Sequence, residues 1–341
     1  MISLAVKYRP TTFNDVVAQE NIKAILEQQI VTKNHKNCYL FTGGAGTGKT
    51  TCARIFANEL NGGKGKAIEI DAASNNGVEN VRNIIDDSKH KSLDGEFKIY
   101  ILDEVHMLST GAWNAMLKLL EEPPLKTIFL MCTTDPQKIP ATILSRVQRF
   151  DFHRIPTNQI VERLDLILQK ENYDLEVNAG ICYEWDKEAL EYIAKIADGG
   201  MRDAITLLDK CLSYSGDITV ENVVNALGST DYGVMFELLE YIYEKDEFNI
   251  IETIENIYMD GKDLKQFTRQ FFFFVLDLVK YNICHNFDYV QIPSSYSKEC
   301  KLETGKKQFI IVLTGELQGL LNRIKWEQNP KQFIIAGLLT L

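Results

Sequence analysis

The chain has 341 residues, of which 45% are hydrophobic and 25% are charged, and its formal net charge is −10. This length allows two or three domains of ordinary size, and the composition is typical of a soluble globular protein. The acidic balance argues against broad nonspecific attraction to polyanions, so we expect any contact with nucleic acid to be local. The longest apolar run, residues 271–276, is far shorter than the ~20 residues that span a bilayer. With no export-like segment at the start, the sequence predicts a cytoplasmic protein with no membrane partner.

Predicted strands alternate with predicted helices over the first 155 residues. Five buried strands are expected at 38–42, 67–71, 99–103, 127–134 and 150–152. Helices are expected between them at 51–60, 77–89 and 111–121. This alternation predicts a mostly parallel sheet that is covered on both faces. From about residue 157 every predicted element is helical, with a break at 228–230 that indicates a further domain boundary.

The stretch that follows the first strand fits a phosphate-binding loop, G-x-x-x-x-G-K-[ST]. Glycines permit the backbone conformations that point N–H groups at phosphate oxygens, and the helix that follows adds its positive N-terminal dipole. Lys49 would reach the β- and γ-phosphates of ATP, and the Thr50 hydroxyl would bind Mg²⁺. The full match between a strand and a helix favours this interpretation over an ordinary glycine-rich turn. The expected nucleotide-binding residues here are Gly43, Gly44, Ala45, Gly46, Thr47, Gly48, Lys49, Thr50 and Thr51.

Two carboxylates, Asp103 and Glu104, follow the third predicted strand. They should lie at the carboxyl edge of the sheet, where open α/β folds bind their ligands. Asp103 can serve as a ligand of Mg²⁺, and Glu104 can orient and deprotonate a water molecule for attack on the γ-phosphate. An acidic pair after a strand is common at solvated ends, but together with the phosphate loop it predicts hydrolysis of ATP.

A possible phosphate contact for nucleic acid lies after the second predicted strand. Ser74, Asn75 and Asn76 can present side-chain donors and amides at a helix start, and Arg82 lies further along the same helix. A helix start of this kind binds a phosphate without reading base sequence. The same residues are also compatible with an ordinary Asn-Gly turn.

Several longer stretches together resemble the gamma/tau subunits of bacterial DNA polymerase III, which are ATPase subunits of sliding-clamp loaders. The stretches that carry the resemblance are KYRPTTFNDVVAQE (7–20), DEVHMLSTGAWNAMLKLLEEPP (103–124), TTDPQKIPATILSR (133–146), GGMRDAITLLDK (199–210) and, more loosely, DGKDLKQF (260–267) and NPKQFIIAGLLTL (329–341). The resemblance therefore covers essentially the whole chain.

The resemblance implies an α/β fold in which a P-loop AAA+ ATPase domain with a parallel five-stranded sheet is followed by a small helical lid domain and a helical collar domain. The matching domain ranges are 1–156, 157–228 and 229–341, and the collar would form the oligomer. It also implies roles for residues at both ends of the first domain. Thr134 matches a polar sensor of the γ-phosphate or the attacking water. The residues that match the segment around the adenine are Tyr8, Arg9, Pro10 and Val17.

Two arginines match residues that act on the γ-phosphate in this family. Arg146 matches the arginine finger that reaches the ATP of a neighbouring subunit, and Arg202 matches the lid arginine that acts within its own subunit. Without the resemblance, either arginine is more typical of a surface salt bridge.

The resemblance further implies the partners. These are a sliding clamp, other clamp-loader subunits of the delta and delta-prime type in a hetero- or homo-oligomeric ring that is expected to be pentameric, and primer-template DNA that the helix near Arg82 would follow. The site of action would be the replisome at the nucleoid. We also expect this chain, which ends after the collar-like helices, to lack a tau-type extension. Two alternatives stay open: a noncatalytic scaffold of the delta-prime kind, against which the intact Lys49, Asp103 and Glu104 argue, and a DNA-remodelling motor such as a branch-migration helicase.

The chain departs from the family pattern at two places. The family usually carries a four-cysteine zinc module after the phosphate-loop helix, but here NELNGGKGKAIEID continues without a cysteine. The seven cysteines of the chain are scattered and form no C-x-x-C pair, so we expect a minimal variant that binds no zinc. In addition, Ala18 stands where the family usually has glycine, and Val147 stands where it commonly has cysteine.

Overall fold

The computed structural model describes residues 2–90, 92, 95–179, 182–228 and 230–340, without the side chains of 174–179. Ser229, which forms part of a predicted domain boundary, lies outside the described residues. Contacts divide the chain into two units, one formed by 1–167 with 197–206 and the other by 168–196 with 207–341. The three-domain division remains a prediction.

The first unit contains a five-stranded, wholly parallel sheet with the order β2-β3-β4-β1-β5. Its strands are β1 (Cys38–Gly43), β2 (Ile68–Asp71), β3 (Lys98–Asp103), β4 (Thr127–Thr133) and β5 (Gln148–Phe152). The predicted parallel α/β architecture is therefore confirmed. Because all five strands run the same way, their carboxyl ends share one edge of the sheet, where β1 ends at the phosphate loop and β3 at the acidic pair.

Two hydrophobic clusters cover the two faces of this sheet. Successive side chains of a strand point to opposite faces, so Tyr39 and Phe41 of β1 pack on one face while Leu40 packs on the other. On the second face the rings of Tyr100 and Phe129 stack at 5.1 Å between centroids. Burial on both sides explains why the central strands read as continuous apolar runs.

Helices flank the sheet on each side. The helix that the sequence placed at 111–121 begins one residue earlier, because the Ser109 side chain accepts a hydrogen bond from the Ala112 N–H at 3.2 Å, and it ends before Pro123-Pro124. The helices that begin in the first half of the chain are α1 (Leu4–Lys7), α2 (Glu20–Thr32), α3 (Lys49–Leu60), α4 (Val78–Ser88), α5 (Thr110–Glu121), α6 (Ala141–Leu144) and α7 (Thr157–Ala179), with 3-10 turns at Phe13–Asp15, Val105–Met107 and Pro136–Lys138.

The second unit is helical apart from one small feature that the sequence did not predict. Two strands of two residues each, β6 (Glu184–Trp185) and β7 (Asp217–Ile218), pair in parallel. In α13 (Leu264–Cys284), the phenylalanine run forms a packed face, with Phe271 and Phe274 buried. No helix in the described part of the chain is both long and apolar enough to cross a membrane. The remaining helices are α8 (Lys187–Ile196), α9 (Met201–Tyr214), α10 (Val220–Leu227), α11 (Tyr232–Glu244), α12 (Glu247–Met259), α13 (Leu264–Cys284), α14 (Thr304–Ile324) and α15 (Pro330–Leu339), with 3-10 turns at Phe287–Tyr289 and Ser294–Tyr296.

Candidate nucleotide-binding site

The phosphate loop joins β1 to α3, and glycine occupies its three positions of positive φ, of which Gly46 is at +69°. Gly43 has φ +145°, and a Cβ added there would lie 2.4 Å from the Phe152 carbonyl oxygen of β5. Gly48 has φ +102° and caps the N-terminus of α3. A side chain at either position would strain the backbone, so the loop can turn back toward the helix start only with these residues.

Lys49, in the first turn of α3, is almost fully buried at 6% exposure. Its ammonium group donates hydrogen bonds to the carbonyl oxygens of Gly43 at 2.8 Å and Gly44 at 2.6 Å. Burial lowers the pKa of Lys49, and the negative charges of Glu104 and Asp103 oppose that shift. The loop thus holds a cation beneath its own backbone, next to two carboxylates.

Thr50 and Asp103 form a pair of oxygen donors beside the phosphate loop. The Thr50 hydroxyl donates to Asp103 Oδ2 at 2.9 Å, so the pair joins the start of α3 to the end of β3. Mg²⁺ binds through oxygen ligands of this kind and commonly takes only one or two of them from the protein. The donor set therefore fits Mg²⁺ bound together with a nucleotide.

Glu104 follows β3 in the left-handed region, at φ +48° and ψ +45°. Its Oε2 accepts hydrogen bonds from the Thr134 hydroxyl at 2.9 Å and from the Thr134 backbone N–H at 3.2 Å. The Nδ1 atom of His106, a residue that the motif analysis missed, lies 3.2 Å from the same oxygen. Non-glycine residues rarely adopt this backbone conformation, and such conformations cluster at functional sites.

The start of α9 lies against the phosphate loop. The Met201 backbone N–H donates to the Gly46 carbonyl oxygen at 3.0 Å. A Cβ added at Gly46 would lie 3.1 Å from Gly200 Cα and 3.4 Å from Arg202 N. This contact explains why residues 197–206 belong to the first unit although they are distant in sequence, and it places Arg202 beside the loop.

These elements surround a cavity of ≈ 270 Å³ within the first unit. Fifteen of the residues predicted from the sequence line it: Tyr8, Arg9, Pro10, Val17, Ala45, Gly46, Thr47, Gly48, Lys49, Thr50, Thr51, Asp103, Glu104, Thr134 and Arg202. Gly43 and Gly44 do not line it, but their carbonyl oxygens hold Lys49. The structure therefore brings together the residues expected around adenine, phosphate and metal.

Sequence reasoning missed several residues of this cavity, among them Arg163, Ile155 and Ile205. Arg163, on α7, donates through Nη2 to the Tyr8 carbonyl oxygen at 3.2 Å and so contacts the N-terminal segment across 155 positions of sequence. No local pattern distinguishes Arg163 from other polar positions on a helix. Only the three-dimensional contact identifies it.

Arg146, the expected arginine finger, does not line the cavity. Its Nε and Nη2 donate to Glu121 Oε1 at 3.0 and 2.7 Å, and its Nη1 donates to the Thr142 carbonyl oxygen at 2.6 Å and to Ser145 Oγ at 3.1 Å. The side chains of Arg146 and Glu121 are 34% and 50% exposed. An exposed ion pair of this kind is weak, so the guanidinium can exchange Glu121 for another anion.

The residues expected to contact DNA also lie apart from the cavity. Ser74 donates through Oγ to Asp71 Oδ2 at 3.0 Å, and Asn75 donates to the Asp71 carbonyl oxygen. Asn76 and Arg82 are exposed, and α4 begins at Val78 with no side-chain cap. Asp71 therefore orders the turn before α4, and its charge adjoins the expected phosphate contact.

The cysteines show no arrangement that would hold a metal. Within the described residues, no group of three or more His, Cys, Asp or Glu side chains is placed to bind a metal ion. Burial raises the pKa of Cys38 and of Cys52 to about 12, which keeps both thiols protonated near neutral pH. That the protein binds no zinc stays a prediction.

A parallel five-stranded sheet, a phosphate loop after β1, an acidic pair after β3 on the far side of β4, and a helical region later in the sequence define the nucleotide-binding fold of AAA+ ATPases. Solved structures of RuvB, the Holliday junction branch migration motor of Thermotoga maritima, share this fold. One is similar over 70% of this chain and 80% of its own, with a TM-score of 0.52 and 19% identity. That identity supports the fold alone.

Two family models match the chain: "DNA polymerase III, delta subunit" over residues 65–156 and "DNA polymerase III clamp loader subunit, ATPase lid domain" over residues 159–217. The tau subunit of DNA polymerase III from Bacillus subtilis is 41% identical over 98% of this chain and 62% of its own length. The Escherichia coli tau subunit is 37% identical over 74% of this chain and 41% of its own. The chain thus spans less than two thirds of these two relatives. The gamma subunit from Buchnera aphidicola subsp. Baizongia pistaciae is 36% identical over 73% of this chain and 70% of its own. The chain belongs to the gamma/tau subunit family of bacterial DNA polymerase III.

Proposed function

We propose that this chain is an ATP-hydrolysing subunit of a DNA polymerase sliding-clamp loader. The observation that carries the proposal is the convergence of Lys49, Asp103, Glu104, Thr134 and Arg202 on one cavity in a member of the gamma/tau family. Each of these side chains has a chemistry that hydrolysis of a γ-phosphate requires. Glu104 suits the role of general base, and a protein that only binds ATP has no need of a general base.

Within the cavity, the N–H groups of the phosphate loop and Lys49 would bind the β- and γ-phosphates. Thr50 and Asp103 would hold Mg²⁺, which when bound supplies positive charge to the phosphate oxygens. Glu104 would accept a proton from the attacking water. Thr134, which donates its hydroxyl to Glu104 Oε2, would sense the γ-phosphate or that water.

The adenine and the γ-phosphate would be contacted by residues from opposite ends of the first unit's sequence. Tyr8, Arg9, Pro10 and Val17 line the side of the cavity that we assign to the adenine. Arg202 would approach the γ-phosphate from the start of α9, because the backbone of that helix is hydrogen bonded to the phosphate loop.

Arg146 would complete the site of a neighbouring subunit. Its location outside the cavity of its own chain and its exposed pairing with Glu121 both support a role in trans. ATP binding would then assemble this chain with delta- and delta-prime-type subunits into a ring of expected pentameric form. That assembly would hold a sliding clamp open and release it after hydrolysis.

Primer-template DNA would contact the turn before α4, through Ser74, Asn75, Asn76 and Arg82. Three of these side chains are exposed, and the N-terminus of α4 offers free N–H groups to a phosphate. The site of action would be the cytoplasm, at the replisome on the nucleoid.

Two other functions make different predictions. A noncatalytic scaffold of the delta-prime kind would not hydrolyse ATP in any assembly. A branch-migration motor, for which the shared fold of RuvB is the only support, would be stimulated by four-way junction DNA without a clamp.

The test is steady-state ATP hydrolysis by the assembly with a sliding clamp and primed DNA, compared with four-way junction DNA alone. Under the proposal, primed DNA and clamp together stimulate hydrolysis and the junction does not. Stimulation by the junction without a clamp would favour the motor, and an absence of hydrolysis in every assembly would favour the scaffold.

A further inference from the structure

His106 occupies the 3-10 turn Val105–Met107 that follows the acidic pair, and its side chain is only 12% exposed. Its Nδ1 atom lies 3.2 Å from Glu104 Oε2 and 3.1 Å from Thr133 Oγ1. The imidazole therefore sits between the carboxylate that we assign as the general base and the end of β4.

The two oxygens of the Glu104 carboxylate have different surroundings. Oε2 receives the hydroxyl and the backbone N–H of Thr134 and adjoins Nδ1 of His106. No hydrogen bond to Oε1 is present among the residues that the structure describes. One oxygen of the carboxylate is thus held by protein donors, and the other is left to act on water.

The neighbours of His106 fix where its proton lies. An ionised carboxylate oxygen only accepts hydrogen bonds, so the approach of Nδ1 to Glu104 Oε2 is attractive only when Nδ1 carries the proton. Thr133 Oγ1 accepts the Asp135 backbone N–H at 3.0 Å and keeps its own proton, so its contact with Nδ1 fits either form of the imidazole. The approach to the carboxylate oxygen is therefore the contact that favours a proton on Nδ1.

We propose that His106 is a positioning residue that donates from Nδ1 to Glu104 Oε2 and so aims the free oxygen of the base at the attacking water. This inference rests on the proposed ATPase function. His106 does not itself line the nucleotide cavity and acts through Glu104, which does. Because a base that is misplaced by a fraction of an ångström loses much of its effect, loss of this donor should slow hydrolysis without weakening the binding of ATP.

The experiment compares His106→Ala, His106→Asn, Glu104→Gln and the double variant His106→Ala/Glu104→Gln in the complete assembly. The asparagine amide nitrogen is attached at the same position as Nδ1 and can replace its hydrogen bond. We measure kcat and KM for ATP hydrolysis, together with nucleotide affinity and the thermal midpoint of unfolding as controls for folding.

We expect His106→Ala to lower kcat about 10- to 100-fold, the effect of losing one hydrogen bond to a charged group, with KM and nucleotide affinity unchanged. His106→Asn should recover kcat to within about threefold of the parent protein, and His106→Ala should cause no further loss when Glu104 is already glutamine.

If Glu104→Gln is itself defective, three results would overturn the inference and leave the proposed function intact. These are a normal kcat in His106→Ala, a kcat in His106→Asn as low as in His106→Ala, or a kcat in the double variant that is lower than in Glu104→Gln by the full His106→Ala effect. If instead Glu104→Gln turns over normally, the assignment of the base fails and the inference fails with it.

Discussion

Replacing Arg146 by alanine separates the stability of this chain from its activity. Among the described residues, the polar partners of Arg146 are the exposed Glu121, through an ion pair, and the exposed Thr142 and Ser145, through hydrogen bonds. An exposed pair contributes only about 0–1 kcal/mol, so Arg146→Ala should barely change the free energy of unfolding. It should also leave the nucleotide affinity of the isolated chain unchanged, because the side chain lies outside the cavity.

The effect on hydrolysis should be far larger. An arginine finger accelerates phosphoryl transfer about 10³- to 10⁵-fold, which corresponds to about 4–7 kcal/mol at ~1.36 kcal/mol for each factor of ten. Arg149 provides the matched control, since it lies three residues further on, is also exposed and pairs with Asp151. Arg149→Ala removes the same charge and should retain activity.

Mixing of variants is the decisive assay. Arg146→Ala chains combined with Lys49→Ala chains should recover part of the ATPase activity, because some interfaces then join an intact phosphate loop to an intact finger. Arg202→Ala, which acts within its own subunit, should not be rescued by Lys49→Ala. If the first mixture shows no recovery while sedimentation demonstrates that oligomers form, Arg146 is not a finger in trans.

Three further predictions concern the base, a strained residue and the metal content. Glu104→Gln should bind ATP normally but hydrolyse it very slowly, because the carboxylate that accepts a proton from water is lost; a normal rate in steady-state turnover would exclude this role. Ala18 has φ +59°, a backbone conformation that costs a non-glycine residue roughly 1–2 kcal/mol. Glycine relieves this strain but loses more conformational entropy on folding. Ala18→Gly should therefore raise the free energy of unfolding, measured in urea, by about 0.5–1 kcal/mol. Ala24→Gly, at an exposed position of α2, is its control and should instead lower that free energy by about 1 kcal/mol. Elemental analysis of the purified protein should find no stoichiometric zinc, and about one zinc per chain would contradict the cysteine analysis.

The nature of the sheet and its ligand edge could be predicted because their signals are local. Each strand is a short apolar run, and the phosphate loop and the acidic pair directly follow two of those runs. The strand order could not be read from the sequence, since it depends on which runs pair in space. The two-residue strands β6 and β7 were missed because two residues are too short to show a period.

The parts of the site that escaped prediction depend on contacts between distant segments. Arg163 reaches Tyr8, and Met201 reaches Gly46, only through the folded chain. His106 stood inside a recognised motif, but nothing in its spacing indicates that it faces Glu104 and not solvent. The resemblance supplied Ala18 as an exception, and the left-handed backbone there explains why glycine is usual at that position.

A clamp-loading function is tested most directly by ATP-dependent capture of a sliding clamp. An assembly of this chain with delta- and delta-prime-type subunits is immobilised, and retention of labelled clamp is measured with ATP, with ADP and with the Glu104→Gln variant. We expect ATP to promote retention of the clamp, Glu104→Gln to prolong it because hydrolysis is blocked, and ADP not to support it. Equal retention with ATP and ADP, or none in an assembly that demonstrably hydrolyses ATP, would contradict a clamp-loading function.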